Sequence, residues 1–179
     1  MTGLESKRKI ILMGLDNAGK TSIVLSLRGD RNLLSYCQLS PTKDHEIINM
    51  QFQDTQFNIW DFGGQRTYRD KHLDNFQKYF KGCNKLIYVI DIQDTDRWDK
   101  AIKYLEEVTN RIENHKDSMS FSIFLHKYDP KLKKIRPDIS DEMIEELIEK
   151  IKVILESKMD YRVFKTTIYT NFEKIPINF

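Results

Sequence analysis

The chain has 179 residues, enough for one domain with a single large core and hardly for two. At 40% hydrophobic and 31% charged residues, with seven Gly and four Pro, its composition excludes a disordered or fibrous chain. Its 29 basic residues nearly balance 27 acidic ones, so the net charge of +2 sets up no long-range field that would mark a nucleic-acid binder.

The first apolar run, residues 9–13, is short and continuous, as a central parallel strand covered on both faces would be. It ends at Gly14. The sequence Gly14-Leu15-Asp16-Asn17-Ala18-Gly19-Lys20-Thr21 then fits GxxxxGK[ST], directly after that strand and directly before a helical run. In such a loop the glycines let the backbone wrap a polyphosphate, successive N–H groups and the helix N-terminus offer positive dipole ends, and Lys20 adds a full charge. Thr21 would place its hydroxyl on Mg²⁺. A strand-to-helix turn that matches by chance is the plain alternative, and the loop alone does not separate kinases, ATPases and GTPases.

Residues 31–44 contain one threonine, Thr42, after Ser40-Pro41. It is the candidate ligand whose hydroxyl reaches Mg²⁺ while its N–H meets a γ-phosphate, with an ordinary Pro-Thr turn as the alternative. Two strands follow, 46–53 and 56–61, joined by residues 54–55 and close enough to pair as an antiparallel hairpin at a sheet edge. The second runs into Trp60-Asp61-Phe62-Gly63-Gly64-Gln65. A carboxylate at the C-terminal end of that strand faces a phosphate site, so Asp61 would hold Mg²⁺ through water. Gly64 would offer its N–H to the γ-phosphate and Gln65 would orient the attacking water. Asp-x-Gly-Gly is also a common turn sequence.

A further buried strand is expected at 85–91, then an amphipathic helix at about 98–112 through Ile102, Leu105 and Val108, with its apolar side on the sheet. Strand 121–125 leads into His126-Lys127-Tyr128-Asp129 at the same sheet edge. A carboxylate there can accept from guanine N1–H and the N2 amino group, which adenine does not offer, so Asp129 favours guanine over adenine. Lys127 would lay its stem along the base and the phosphate loop; a solvated Lys/Asp turn before Pro130 is the alternative. Helix 141–157 repeats Ile144, Leu147, Ile148, Ile151, Ile154 and Leu155 at helical spacing, with Ser140 as N-cap. Strand 161–164 is followed by Thr166-Thr167-Ile168, whose N–H groups would brace the guanine O6. Strands alternating with helices make an α/β fold of six mostly parallel strands.

Taken in order, GLDNAGKT, SPT, WDFGGQ, HKYD and TTI resemble the five guanine-nucleotide motifs of the Ras superfamily over essentially the whole chain. GLDNAGKTS, which brings in Ser22, and WDFGGQ are similar to the ADP-ribosylation-factor (Arf) family, whereas HKYD and TTIY are similar to the Rag GTPases. The resemblance implies a P-loop G domain over residues 1–179, with one antiparallel edge strand and helices on both faces. It also implies GTP/GDP and Mg²⁺ as ligands, slow hydrolysis, and two switches around Thr42 and Gln65. By the Arf pattern Asp16 would crowd the γ-phosphate region. Leu39 stands three residues before Thr42, where heterotrimeric G-protein α subunits carry an arginine, so a GTPase-activating protein would bring one, worth about 10⁵-fold in Ras. His126 replaces the usual Asn that contacts guanine N7 and ties the base loop to the phosphate loop. The last helix reads as shortened, because Pro176 follows Tyr169 closely.

Partners implied by the resemblance are effector, activating and exchange proteins and a dimer with a related GTPase. The segments 31–49 and 66–79 would choose them, and Leu33, Leu34, Tyr36 and Leu39 read equally as an effector face or as core cover. Cys37 and Cys83 lack CxxC spacing and read as reduced thiols of a cytoplasmic protein. There is no run of about 18 apolar residues, Thr2 stands where myristoylation needs Gly, and residues 175–179 contain no Cys for prenylation. The expectation is no intrinsic membrane anchor. Two other readings remain: a nucleotide-dependent scaffold with negligible hydrolysis, and a P-loop kinase or ATPase, against which stand Asp129 and the lack of an Arg-rich lid.

Overall fold

The computed structural model describes residues 6–30, 32–112, 119–156 and 158–169. Six strands form one sheet, β1 (Ser6–Gly14), β2 (His45–Phe52), β3 (Thr55–Phe62), β4 (Cys83–Asp91), β5 (Ser120–His126) and β6 (Tyr161–Lys165), in the order β2-β3-β1-β4-β5-β6. Only β2 runs antiparallel, against β3; the other pairings are parallel, as the motif order implied. The helices are α1 (Lys20–Leu27), α2 (Leu33–Cys37), α3 (Arg66–Asp74), α4 (Phe76–Phe80), α5 (Trp98–Ile112), α6 (Leu132–Ile135) and α7 (Asp141–Leu155).

Period-two alternation splits the core across the sheet. Along β1, Ile11 and Met13 face one side and pack with Tyr104, Leu105 and Val108 of α5 and Leu147 and Ile151 of α7. Leu12 faces the other side and packs with Ile23 and Val24 of α1. On α5 the buried positions Ala101, Tyr104, Leu105, Val108 and Ile112 recur at helical spacing, so one stripe lies on the sheet. Ser140 caps α7, its Oγ accepting from the Met143 N–H at 3.2 Å.

Several element boundaries differ from the sequence reading by one to three residues. β1 begins at Ser6 rather than 9, because the basic residues Lys7, Arg8 and Lys9 pair with β3. The hairpin turns at Gln53-Asp54, one residue earlier than expected: Gln53 takes φ 51 and β-branched Thr55 already pairs with Phe52. α7 ends at Leu155. The shortened last helix falls in 170–179, outside the described residues.

Parallel strands bring the C-terminal ends of β1, β3, β4, β5 and β6 to one sheet edge, where every sequence motif converges. The helices that hold this edge depend on the α5 stripe, in which Leu105 is fully buried. Leu105→Ala should cost about 2–5 kcal/mol in urea unfolding, whereas Lys103→Ala on the exposed side should stay within about 0.5 kcal/mol.

Candidate functional site

The phosphate loop leaves β1 at Gly14, where φ is 143 and any Cβ would strike the Val89 carbonyl of β4. Asn17 (φ 61) and Gly19 (φ 90) take left-handed conformations that turn the chain into α1. Lys20 is buried, and its Nζ donates to the carbonyls of Gly14 (3.2 Å) and Leu15 (2.7 Å). Desolvation pushes its pKa down to about 8 against the pull of Asp61 and Asp16. An anion in the loop would meet this ammonium at close range.

Beside it, three oxygens from three segments converge. Thr21 Oγ1 donates to Asp61 Oδ2 at 2.5 Å and lies 3.1 Å from Thr42 Oγ1, which is itself 3.2 Å from Asp61 Oδ2. Asp61 is fully buried, and burial raises its pKa, with Lys20 the main opposing influence. Its Oδ1 has no hydrogen-bond partner among the described residues. A buried carboxylate with an orphan oxygen and two hydroxyls is the hard-oxygen donor set that suits Mg²⁺.

Segment 61–65 rests directly on this loop. A Cβ on Gly64 would collide with the backbone of Leu15 and Asp16, and one on Gly63 would sit 2.5 Å from the Thr42 carbonyl. The Gly63 N–H donates to the Asp44 carbonyl at 2.6 Å. Gln65 is exposed at the start of α3 and lines, with Gly19, Ser22, Ser40 and Thr42, a cavity of about 260 Å³.

The base-side residues gather at the ends of β5 and β6. His126 is 3% exposed; its Nδ1 lies 2.9 Å from Thr166 Oγ1, and its ring abuts Gly19, where a Cβ would lie 2.5 Å from Cδ2. Burial lowers its pKa, keeping the ring neutral. Thr166 continues the sheet pairing, its N–H donating to Leu125 O at 2.9 Å and its carbonyl accepting from Tyr128 at 3.0 Å. Ile168 is partly buried and packs against the apolar cluster that includes Ala18, Ile23 and Val24. Asp129 accepts at Oδ1 from Thr167 Oγ1 (2.5 Å) and at Oδ2 from Gln93 Nε2 (2.8 Å).

Two of these residues have partners that the sequence reading did not name. Lys127, at φ 61, pairs its Nζ with Asp91 Oδ2 at 2.6 Å. Asp16 turns toward Arg97, whose Nη1 is 3.2 Å from Asp16 Oδ2 and whose Nη2 is 3.3 Å from the Asp16 carbonyl, while Asp94 holds the other side of the guanidinium. Arg97 and Gln93 carried no sequence signal, since neither lies in a motif. In the segment after α1, Leu34 and Leu39 are exposed, which removes them from the core, and Tyr36 ties its hydroxyl to the Asp30 carbonyl at 3.0 Å. The Leu33 side chain lies outside the described atoms.

The protein-family profile described as "Gtr1/RagA G protein conserved region" matches residues 9–172. ADP-ribosylation factor-like protein 2 of Arabidopsis thaliana is 35% identical over 104 residues, 58% of this chain and 52% of that protein. The chain therefore spans about half the length of that relative. Among solved structures, the Arl6 BBS3 small GTPase of Trypanosoma brucei with bound nucleotide analogue GppNp superposes with a TM-score of 0.67 at 18% identity. That superposition covers 90% of this chain and 87% of the other, a likeness of fold.

Arg97 holds the Asp16 carboxylate to one side of the phosphate loop. Arg97→Ala frees that negative charge, so affinity for inorganic tripolyphosphate should fall roughly tenfold by calorimetry. Stability should change by less than about 1 kcal/mol, because the pair is partly exposed.

Proposed function

Because the chain belongs to the Gtr1/RagA family of G proteins, we propose that it binds Mg²⁺·GTP and GDP at this sheet edge, hydrolyses GTP slowly and works as a conformational switch. The observation that carries the reading is the convergence of Thr21, Thr42 and Asp61 beside buried Lys20, with the Asp61 Oδ1 orphaned.

In this reading Thr21, Thr42 and Asp61 would hold Mg²⁺, which would supply positive charge against the β- and γ-phosphates. Lys20 exchanges the carbonyls of Gly14 and Leu15 for phosphate oxygens, regaining an anion for its buried charge. Residues 14–22 wrap the phosphates with backbone N–H groups. Thr42 and Gly64 sense the γ-phosphate from opposite sides. The Gly63-to-Asp44 hydrogen bond joins their segments, so loss of the γ-phosphate releases both together. Gln65 orients the attacking water.

Guanine would replace the two donors on Asp129: its N1–H and N2 amino group take over the positions held by Thr167 and Gln93. The carboxylate then exchanges one pair of hydrogen bonds for another, at little cost. His126 keeps the base loop against Gly19, and the N–H groups of Thr167 and Ile168 would be left to face the O6 side, since that of Thr166 is taken by the Leu125 carbonyl.

With Leu39 in place of an arginine before Thr42, turnover depends on an activating protein, and exposed Leu34 and Leu39 belong to the surface that effectors and exchange factors would meet. No helix among the described residues is long and apolar enough to cross a membrane. The unpaired thiols Cys37 and Cys83 support a cytoplasmic setting. The whole chain would act as a single G domain, with a related GTPase as a candidate dimer partner.

Calorimetry with GDP and ADP in excess Mg²⁺ tests the reading. GDP should bind much more tightly than ADP, and Asp129→Ala should cut that preference about 10- to 100-fold, the worth of hydrogen bonds to a charged acceptor. Equal binding of ADP would overturn it. Gln65→Leu should slow GTP hydrolysis at least about tenfold with GTP affinity unchanged; an unaltered rate would favour a scaffold that binds without turning over.

A further inference from the structure

Next to the nucleotide edge, but outside the residues assigned to it, Asp44, His45 and His72 bring three metal-type donors together, their ligand atoms all within 4.8 Å of one another. Asp44 and His45 lie at the entry to β2, just after Thr42, and His72 lies on α3, just after the 61–65 segment. His72 Nε2 is 3.1 Å from Asp44 Oδ1, and His45 Nδ1 is 3.4 Å from Asp44 Oδ2.

We infer that Asp44, His45 and His72 form a binding site for a borderline divalent transition metal such as Zn²⁺, one that clamps the segment after Thr42 to helix α3. Two imidazole nitrogens and a carboxylate oxygen are the donor types zinc takes, with a fourth position left for water. His45 Nδ1 is buried and has no hydrogen-bond partner among the described residues, yet it faces the carboxylate. The 3.4 Å approach is long for a hydrogen bond and suits two donors sharing one cation.

The rings are held by walls of aromatic residues. His45 stacks on Trp60 at 5.0 Å and 3°, with Tyr79 edge-on at 5.2 Å. His72 lies on Phe62 at 4.3 Å and is fully buried. Tetrahedral zinc with bonds of about 2.0–2.1 Å needs donors roughly 3.4 Å apart, so the two segments close slightly on binding.

One cation already competes. Lys71 Nζ pairs with Asp44 Oδ2 at 2.7 Å, and its side chain is half exposed. The metal takes that oxygen and Lys71 swings out to solvent, so the site's affinity reports on Lys71. When filled, the clamp fixes both segments that read the γ-phosphate and slows nucleotide release. This consequence rests on the nucleotide reading, whereas the binding itself does not.

The test uses the full chain in excess Mg²⁺ and GDP, so that hard-oxygen sites are filled, with Zn²⁺ calorimetry and Co²⁺ visible absorption as readouts. One equivalent should bind, and Co²⁺ should give the intense visible bands of a four-coordinate ion. His45→Phe, which keeps the stack on Trp60, and Asp44→Asn should each weaken binding at least about tenfold. Lys71→Met, on the exposed side, should tighten it several-fold. Added Zn²⁺ should slow GDP release in wild type and leave His45→Phe unaffected. Absence of saturable binding, or binding that ignores both His45→Phe and Lys71→Met, overturns the site. Zn²⁺ binding without any effect on GDP release overturns the clamp alone.

Discussion

The buried carboxylate of Asp61 is the constraint around which this sheet edge is arranged. The β1–β3 register sets Leu12 beside Asp61, so the charge lies at the end of a central strand under the phosphate loop. An ionised carboxylate in that position is costly unless partners face it. They come from two separate parts of the chain: Lys20 by charge and Thr21 by hydroxyl from the start of α1, and Thr42 by hydroxyl from the segment before β2. Thr42 reaches Asp61 only if the segment after α2 crosses the loop. That crossing brings the carbonyls of Thr42 and Asp44 onto Gly63, where a side chain would not fit. One buried charge thus fixes the relative positions of the phosphate loop, the segment before β2 and the turn after β3.

Motifs whose chemistry is contiguous were legible without coordinates. GLDNAGKT, WDFGGQ and HKYD each place their groups within a few residues at the end of a strand, and periodicity located the six strands and helices α5 and α7. Pairings between distant segments were not legible. Arg97 and Asp16 are 81 residues apart, Gln93 and Asp129 are 36 apart, and His72 and Asp44 are 28 apart. None of these has a local spacing rule, because each contact exists only after the sheet order is set. The start of β1 lies earlier than the apolar run at 9–13, because Lys7 and Arg8 pair with Gln56 and Phe57 of β3, while Lys9 lays its ammonium 3.9 Å over the Trp60 ring and donates to the Tyr79 carbonyl at 2.5 Å. A long cationic side chain can cover apolar surface while its head finds acceptors.

The histidine of HKYD shows how a departure from a motif is absorbed. An imidazole is bulkier than an asparagine amide and needs space on the phosphate-loop side. Gly19 supplies it, since any Cβ there would overlap the ring. Gly19 was expected for its backbone freedom and has a second duty as the floor of His126. The other ring nitrogen meets Thr166, which β5 already holds through the Leu125 carbonyl. The base loop, the phosphate loop and the turn after β6 are therefore joined through one buried, neutral ring. A change at any of the three is transmitted to the other two by contact, so phosphate binding at Gly19 and base binding at Asp129, as proposed, would be mechanically linked through His126.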